Sequence, residues 1–319
     1  MQKKIKLIKN RSDIGAGTRG SDMGIDAIEI AAINKGSNYF SRFEFEDIAT
    51  HNESIYNKVR STFAKRIEHV QEQCTRVSEG VKKCLEAQYF PLVFSGDHSS
   101  ALGTISGIKA AFPDKTLGVI WIDAHADLHS PYTSPSGNIH GMPLAAALHE
   151  DNLSCQVNEV FGETKIHWEA LKNIGVPGAK VQGKSVVYFG VRDTEEAEDK
   201  QMEHLGIRNY MVAEVRFRGL TTCVDEALQS LDHCDMLYIS YDVDSMDCDL
   251  ISYGTGTPVP RGFDQFEVMD IIKQVIHSEK VVCLEIAEVN PLLDTKGNKM
   301  AETAFEVLEV VTEALLLLT

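Results

Sequence analysis

Thr116-Leu-Gly-Val-Ile-Trp121-Ile-Asp123-Ala-His125-Ala-Asp127 is the stretch that decides the fold. Its first half is apolar and rich in β-branched residues, and Pro113-Asp114-Lys115 precedes it as a turn, so it predicts a buried parallel strand. At the carboxyl end the pattern changes to three ionisable residues separated by alanines. Extended backbone points residues two apart the same way, so Asp123, His125 and Asp127 are expected to project to one side. Burying unpaired charge is costly. A divalent cation is the counter-charge such a group calls for.

Other short apolar runs repeat the arrangement. Residues 90–94 read as a strand ending in Ser95-Gly96-Asp97-His98, with a helix over 99–111 behind it. Residues 236–241 end in Asp242-Val-Asp244, and residues 185–191 in Arg192-Asp193-Thr194-Glu195-Glu196. A strand over 281–289 contains Glu285 and Glu288, and a first strand is expected at 3–8. A short strand is expected at 209–213. Helical periodicity covers 25–34, 54–88 (with Gly80 a candidate break), 140–150, 221–231, 266–277 and 301–317. The segment 151–183 reads as a helix with surface loops. The glycine-rich loop 13–24 matches neither GxGxxG nor GxxxxGK[ST] and reads as a rim loop, not a nucleotide loop. Alternating strands and helices predict a parallel sheet covered on both faces, with ligands beyond the carboxyl ends of its strands. One domain spanning 1–319 is expected, since no repeat or linker divides the chain.

Composition narrows the partners. The 319 residues are 43% apolar and 24% charged, and their formal net charge is −16. That balance argues against nucleic acid or an anionic membrane, which need basic surface, and suits a small cationic substrate. The N-terminus lacks the apolar core of a signal peptide, and the apolar stretch near 304–318 is interrupted by Glu306, Glu309 and Glu313. Seven scattered cysteines without a CxxC spacing read as reduced thiols of a cytoplasmic protein.

Six residues at three strand ends form the candidate metal set: His98, Asp123, His125, Asp127, Asp242 and Asp244. Four aspartates and two histidines suffice for two ions if some carboxylates bridge. Ions roughly 3.5–4 Å apart acidify a shared water and generate hydroxide. An oxygen-rich set without thiolates favours manganese over magnesium, iron, cobalt or zinc. Glu288, a further carboxylate at a strand end, adds repulsion unless the substrate is positive. A guanidinium, whose planar fork pairs with carboxylate, meets that need.

Gly96-Asp97-His98-Ser99, Asp123-Ala-His125-Ala-Asp127, Ser136-Gly-Asn138-Ile-His140-Gly141, Ser240-Tyr-Asp242-Val-Asp244 and Glu288-Val-Asn290-Pro291 together resemble the ureohydrolase family, and within it the arginase branch. The resemblance covers nearly the whole chain. It implies a three-layer α/β/α sandwich around a mostly parallel sheet of about eight strands. It also implies two Mn²⁺ ions per subunit: His98, Asp123, Asp127 and Asp242 would hold one, and His125, Asp123, Asp242 and Asp244 the other. A metal-bridging hydroxide would attack the guanidinium carbon of L-arginine, giving L-ornithine and urea. His140 would act as proton shuttle and Glu288 would orient the guanidinium. Trimers or hexamers are the implied assembly.

Substrate choice is expected to lie in the loop 129–138. Ser134, Ser136 and Asn138 match the polar pattern that binds an α-carboxylate, and Thr257 matches a pocket-wall position. Two departures stand out. His129 replaces the asparagine expected at the α-carboxylate, and Glu195 replaces the aspartate expected at the α-ammonium. Both keep the required donor or acceptor but are longer. The alternatives are another guanidino or formimino substrate (formimidoylglutamate, agmatine or a guanidino acid), a catalytically silent metal-binding scaffold, and a one-zinc deacetylase-like enzyme.

Overall fold

The computed structural model describes residues 3–318. Eight strands form one sheet: β1 (Ile5–Asn10), β2 (Glu44–Asp47), β3 (Phe90–Ser95), β4 (Leu117–Ile122), β5 (Val186–Phe189), β6 (Arg208–Tyr210), β7 (Met236–Asp242) and β8 (Val281–Ala287). Their order is β2-β1-β3-β8-β7-β4-β5-β6, and every pairing is parallel. The expectation of a mostly parallel sheet is therefore met in full.

Ten helices cover the sheet: α1 (Gly24–Asn34), α2 (Ile67–Glu86), α3 (Ala101–Ala111), α4 (Pro143–Leu148), α5 (Gly162–Lys172), α6 (Glu196–Leu205), α7 (Val212–Arg218), α8 (Leu220–Ser230), α9 (Gln265–Ile276) and α10 (Lys299–Leu317). Alternating strand residues feed two separate apolar cores, as the two-residue period requires. Ile120 and Ile122 of β4 join Leu237 and Ile239 of β7 in the core beneath α1 and α7 to α10. Val119 and Trp121 join Tyr238 in the core beneath α2 to α5. These are the three layers. No helix among the described residues is long and apolar enough to cross a membrane.

Several elements differ from the sequence expectation for physical reasons. β2, Glu44-Phe-Glu-Asp47, is a mostly exposed edge strand with no apolar alternation, so it carries no hydrophobic signal. It is held by parallel pairing to β1 and by Lys6 Nζ, 2.7 Å from Glu46 Oε2. The helix expected over 54–88 begins only at Ile67, after a 3₁₀ turn at Asn52–Tyr56, and runs unbroken through Gly80. A Cβ at Gly80 would meet Ile48 Cδ1 at 2.7 Å, so this glycine makes room for a neighbour instead of ending the helix. α6 and α7 were not legible as helices: α6 is short and highly charged, with only Glu198 and Gln201 fully buried.

Parallel pairing throughout puts every carboxyl end on one edge. The four central neighbours β3, β8, β7 and β4 end in His98, Glu288, Asp242 and Asp123 respectively. With strands about 4.8 Å apart, residues distant in sequence converge at the middle of that edge.

Candidate metal centre

Each of three strand ends is closed by an aspartate that folds back on its own chain. Asp97 Oδ1 accepts from Ser99 N (2.8 Å), Asp123 Oδ1 from His125 N (2.7 Å) and Asp242 Oδ1 from Asp244 N (2.8 Å). These are turns made by a short acidic side chain two residues back. They correct the extended-strand expectation: β4 stops at Ile122, the backbone bends over 123–125, and Asp127 adopts φ 51°. Asp123, His125 and Asp127 do converge, but through a turn and a left-handed residue. Glu288 also sits at positive φ, 69°. Such backbone costs roughly 1–3 kcal/mol per residue and persists where surroundings over-determine it.

The six candidate ligands are brought together. His98 Nδ1 lies 3.0 Å from Asp123 Oδ2, 3.1 Å from Asp127 Oδ2 and 3.2 Å from Asp242 Oδ2. His125 Nδ1 lies 3.0 Å from Asp244 Oδ2 and 3.6 Å from Asp123 Oδ1. Two groups of potential ligand atoms result, His98–Asp123–Asp127 and Asp123–His125–Asp244, sharing Asp123. All but His125 are buried.

The electrostatics are those of a crowded acidic cluster. Burial and the charges of Asp244 and Asp123 hold the Asp242 carboxyl well above its usual range. Burial and Asp123 push Asp127 up to about 6. Burial opposes charge on His98, but the three carboxylates around it prevail and raise it well above an ordinary imidazole. Burial raises Asp123 too, yet bonds to His125 and His98 leave it lowered. His98 Nδ1 nonetheless has no properly aligned hydrogen-bond partner. A buried ring nitrogen without a partner, facing three carboxylate oxygens, fits a cation at their centre.

The surroundings fix both rings. His98 stacks on Trp121 at 4.3 Å, and its Nε2 meets Ser240 Oγ at 2.7 Å. Trp121 Nε1 donates to Asp123 Oδ2 at 2.9 Å. His125 Nε2 lies 3.5 Å from Asp193 Oδ2. Bonds from the second nitrogen of a ligand imidazole set ring orientation and tautomer. Arg192 donates to the carbonyls of Asp244 (3.0 Å), Val259 (2.8 Å) and Pro260 (3.0 Å), tying the β5 end to the loop after β7.

A cavity of about 220 Å³ opens above the cluster, and among the described residues that line it all but Gly141 carry a polar side chain. His98, His125, Asp127, Asp242 and Asp244 form its floor, with His129, Ser136, His140, Asp193, Glu195, Glu198 and Thr257 around it. Among the described residues no lysine or arginine lines it. Asp123 lies beneath the floor, fully buried.

Three candidate residues stand behind the lining. Ser134 Oγ accepts from Gly137 N at 2.9 Å and shapes the loop. Asn138 Oδ1 accepts from Lys65 Nζ at 3.2 Å. Glu288 Oε1 accepts from His98 N (2.9 Å) and His140 Nδ1 (3.1 Å). That pairing holds Glu288 below the carboxylate range against the effect of burial, and raises His140 to about 9. Thr257 Oγ1 donates to Asp244 Oδ2 at 3.0 Å.

The far end of the cavity carries the two departures, in contact with each other. His129 Nε2 meets Glu195 Oε2 at 2.8 Å, while His129 Nδ1 meets Thr133 Oγ1 at 3.1 Å. The His129 bond brings Glu195 down to about 2. Glu198 was not singled out in the sequence. It caps α6 with Glu195, accepts from Leu128 N at 3.1 Å and lies 3.5 Å from His129. Burial pushes it up to about 8. The sequence carried no signal for it, since Glu195-x-x-Glu198 lacks the Ser, Thr, Asp or Asn that opens a capping box.

Known proteins match nearly the whole chain. The pattern of the Arginase family matches residues 3–315. The chain belongs to the Arginase family. Among family members, the arginase of Bacillus subtilis (strain 168) is 35% identical over 311 residues, covering 97% of each chain. The arginase of Brevibacillus brevis is 34% identical over 318 residues, covering 98% of each. The solved arginase structure from Bacillus caldovelox superposes with a TM-score of 0.83 at 32% identity, covering 97% of this chain and 98% of that one. An Arginase-family fold and an arginase-type ureohydrolase are what the opening motifs implied.

Proposed function

We propose that this chain hydrolyses L-arginine to L-ornithine and urea at a centre holding two manganese ions. The observation that carries the reading is a cavity with ligand-type carboxylates and imidazoles at its floor and a second set of ionisable groups, His129, Glu195 and Glu198, at its far end. A guanidinium at the floor and an amino-acid head at the far end would occupy the two. His98, Asp123, Asp127 and Asp242 would hold one ion, and Asp123, His125, Asp242 and Asp244 the other. Bound ions of this kind acidify water and offset the buried carboxylate charge.

The chain's own groups account for the rest. Asp193 and Glu195 on the cavity wall, with no lysine or arginine among the described lining residues, favour a cationic guanidinium substrate over an anion. At the far end Ser136 supplies a donor for an α-carboxylate, and Glu195, held by His129, supplies an acceptor for an α-ammonium. Water adds to the guanidinium carbon, the bond from that carbon to the δ-nitrogen breaks, and the departing amine must gain a proton. His140 is placed to give it: Nδ1 is committed to Glu288, which leaves Nε2 for donation. Glu288 acts here by orienting and charging His140, a role that supplements the guanidinium contact expected from the sequence.

Urea and ornithine release should be measured with arginine, agmatine and guanidinobutyrate in parallel, and formamide release with formimidoylglutamate. Efficient turnover of arginine alone supports the proposal. Preference for another substrate would mean that His129 and Glu195 have redirected the pocket. Assembly into a trimer or hexamer is part of the same proposal, and light scattering of the metal-loaded protein reads it. All seven cysteines are free and six are buried, which supports a reducing, cytoplasmic setting.

A further inference from the structure

One further group of metal-ligand type lies outside the cavity, where the segment before α2 folds against its first turns. His69 and Glu72, three apart, share one face of α2, and His51 comes from the preceding loop. One ligand atom from each lies within 4.8 Å of the others. His51 Nε2 approaches Glu72 Oε2 to 2.6 Å, and the two imidazole rings are 5.9 Å apart. Neither His51 Nε2 nor His69 Nδ1 has an aligned hydrogen-bond partner, although both atoms are shielded from solvent.

The loop that brings His51 is fixed independently. Gln73 Nε2 and Arg76 Nη1 donate to Ala49 O at 3.2 and 2.9 Å, and Asn52 Nδ2 donates to Arg11 O at 2.7 Å. His69, Glu72, Gln73 and Arg76 follow the spacing of a single helix face, so the ligands and the clips holding the loop share that face. A His69 ligating through Nδ1 carries its proton on Nε2. The Asn57 side-chain amide lies 3.2 Å from Nε2 and offers its oxygen to that proton once turned over. This is the outer bond that ligating imidazoles ordinarily make.

We propose that His51, His69 and Glu72 form a second metal site that takes a zinc ion. Two imidazoles and one carboxylate are a zinc-type set, to which water would add the fourth ligand. Zinc–ligand bonds of about 2.0–2.2 Å put ligand atoms roughly 3–3.5 Å apart, and the three here already lie within 4.8 Å of one another. The nitrogen-rich set contrasts with the aspartate-rich floor of the cavity, and on nitrogen ligands zinc binds well ahead of manganese. Bound zinc would tie the loop at 49–53 to α2. The segment just before α2 supports the cavity loop, through Lys65 N donating to Gly137 O at 2.7 Å.

The test is zinc content per chain by elemental analysis, after equilibration of the full-length protein with micromolar zinc and gel filtration. Wild type is compared with His51→Ala, Glu72→Gln and His69→Cys. The histidines and aspartates of the cavity floor are also zinc-type ligands, so the reading is the difference between proteins. Wild type and His69→Cys, which keeps a ligand, should each carry one more zinc per chain than His51→Ala and Glu72→Gln. Loss of an outer-shell partner alone weakens a metal site 10–100-fold, so loss of a ligand should weaken this one at least about 100-fold. Manganese-loaded activity should be the same in all four. Glu72 is more than half exposed, so Glu72→Gln tests the site even if His51→Ala folds poorly. Equal zinc content in wild type and Glu72→Gln overturns the proposal and leaves the group as a surface ion pair.

Discussion

Glu288 Oε1 holds His140 Nδ1 at 3.1 Å while the same oxygen takes the backbone N–H of His98 at 2.9 Å. One carboxylate oxygen thus connects the proposed proton donor to the backbone of a candidate metal ligand. Replacing His140 by asparagine keeps a donor toward Glu288 but removes the titrating ring. The kcat for arginine should fall by about 10²–10³, in the range for loss of a positioned general acid, with manganese content unchanged. Steady-state kinetics with parallel metal analysis decides it, and an unaltered kcat would take His140 out of the mechanism.

The same pair makes the metal-free protein sensitive to pH. His140 is raised to about 9 in the folded chain from an ordinary 6.5. Its contribution to stability is therefore complete below about 6.5 and is lost as pH rises through 9. Glu288 is lowered from 4.5, so its share is present above 4.5 and lost as pH falls through its depressed value. Chemical denaturation of chelated wild type and His140→Asn should show the largest stability gap between pH 5 and 6.5, narrowing as pH rises from there and closed above about 9. A gap that widens with rising pH would contradict the pairing.

The sheet and most of the floor were legible because they rest on simple signals: buried strands as β-branched runs, and charge where those runs stop. What was not legible depended on tertiary placement. Asp123 and Asp127 converge through a side-chain turn and a left-handed φ, and the two-residue period encodes neither. Glu198 sits in a short charged helix that lacks an apolar stripe, so its burial follows only from the packing of α6 beside His129. Ser134 and Asn138 belong to a motif that read as a binding loop, yet their polar atoms serve the loop's own shape and Lys65.

Asp242 should separate metal affinity from fold stability. Burial beside Asp244 and Asp123 raises its carboxyl well above the usual range, so without metal it favours the neutral form. Asparagine reproduces that form in size and charge. Asp242→Asn should leave the Tm of chelated protein within a few degrees of wild type and abolish most of the rise in Tm on adding Mn²⁺, because ligand binding stabilises only in proportion to affinity. Calorimetry with and without Mn²⁺ measures both. An undiminished metal-induced rise would show that Asp242 is not a ligand.

Specificity at the far end of the cavity rests on Glu195, whose carboxylate lies 2.8 Å from His129 Nε2 and whose charge that bond maintains. An α-ammonium arriving there would share the carboxylate with His129. Glu195→Gln keeps an oxygen for His129 but removes the charge. A hydrogen bond to a charged group contributes about 1.5–3 kcal/mol, so KM for arginine should rise roughly 10–100-fold. An arginine analogue lacking the α-amino group makes no such contact, and its KM should move less than about 3-fold. Manganese content should be unchanged, since Glu195 belongs to neither group at the cavity floor. Parallel kinetics on the two substrates separate the cases. Equal weakening of both would show that Glu195 acts by positioning His129 instead of meeting the ammonium.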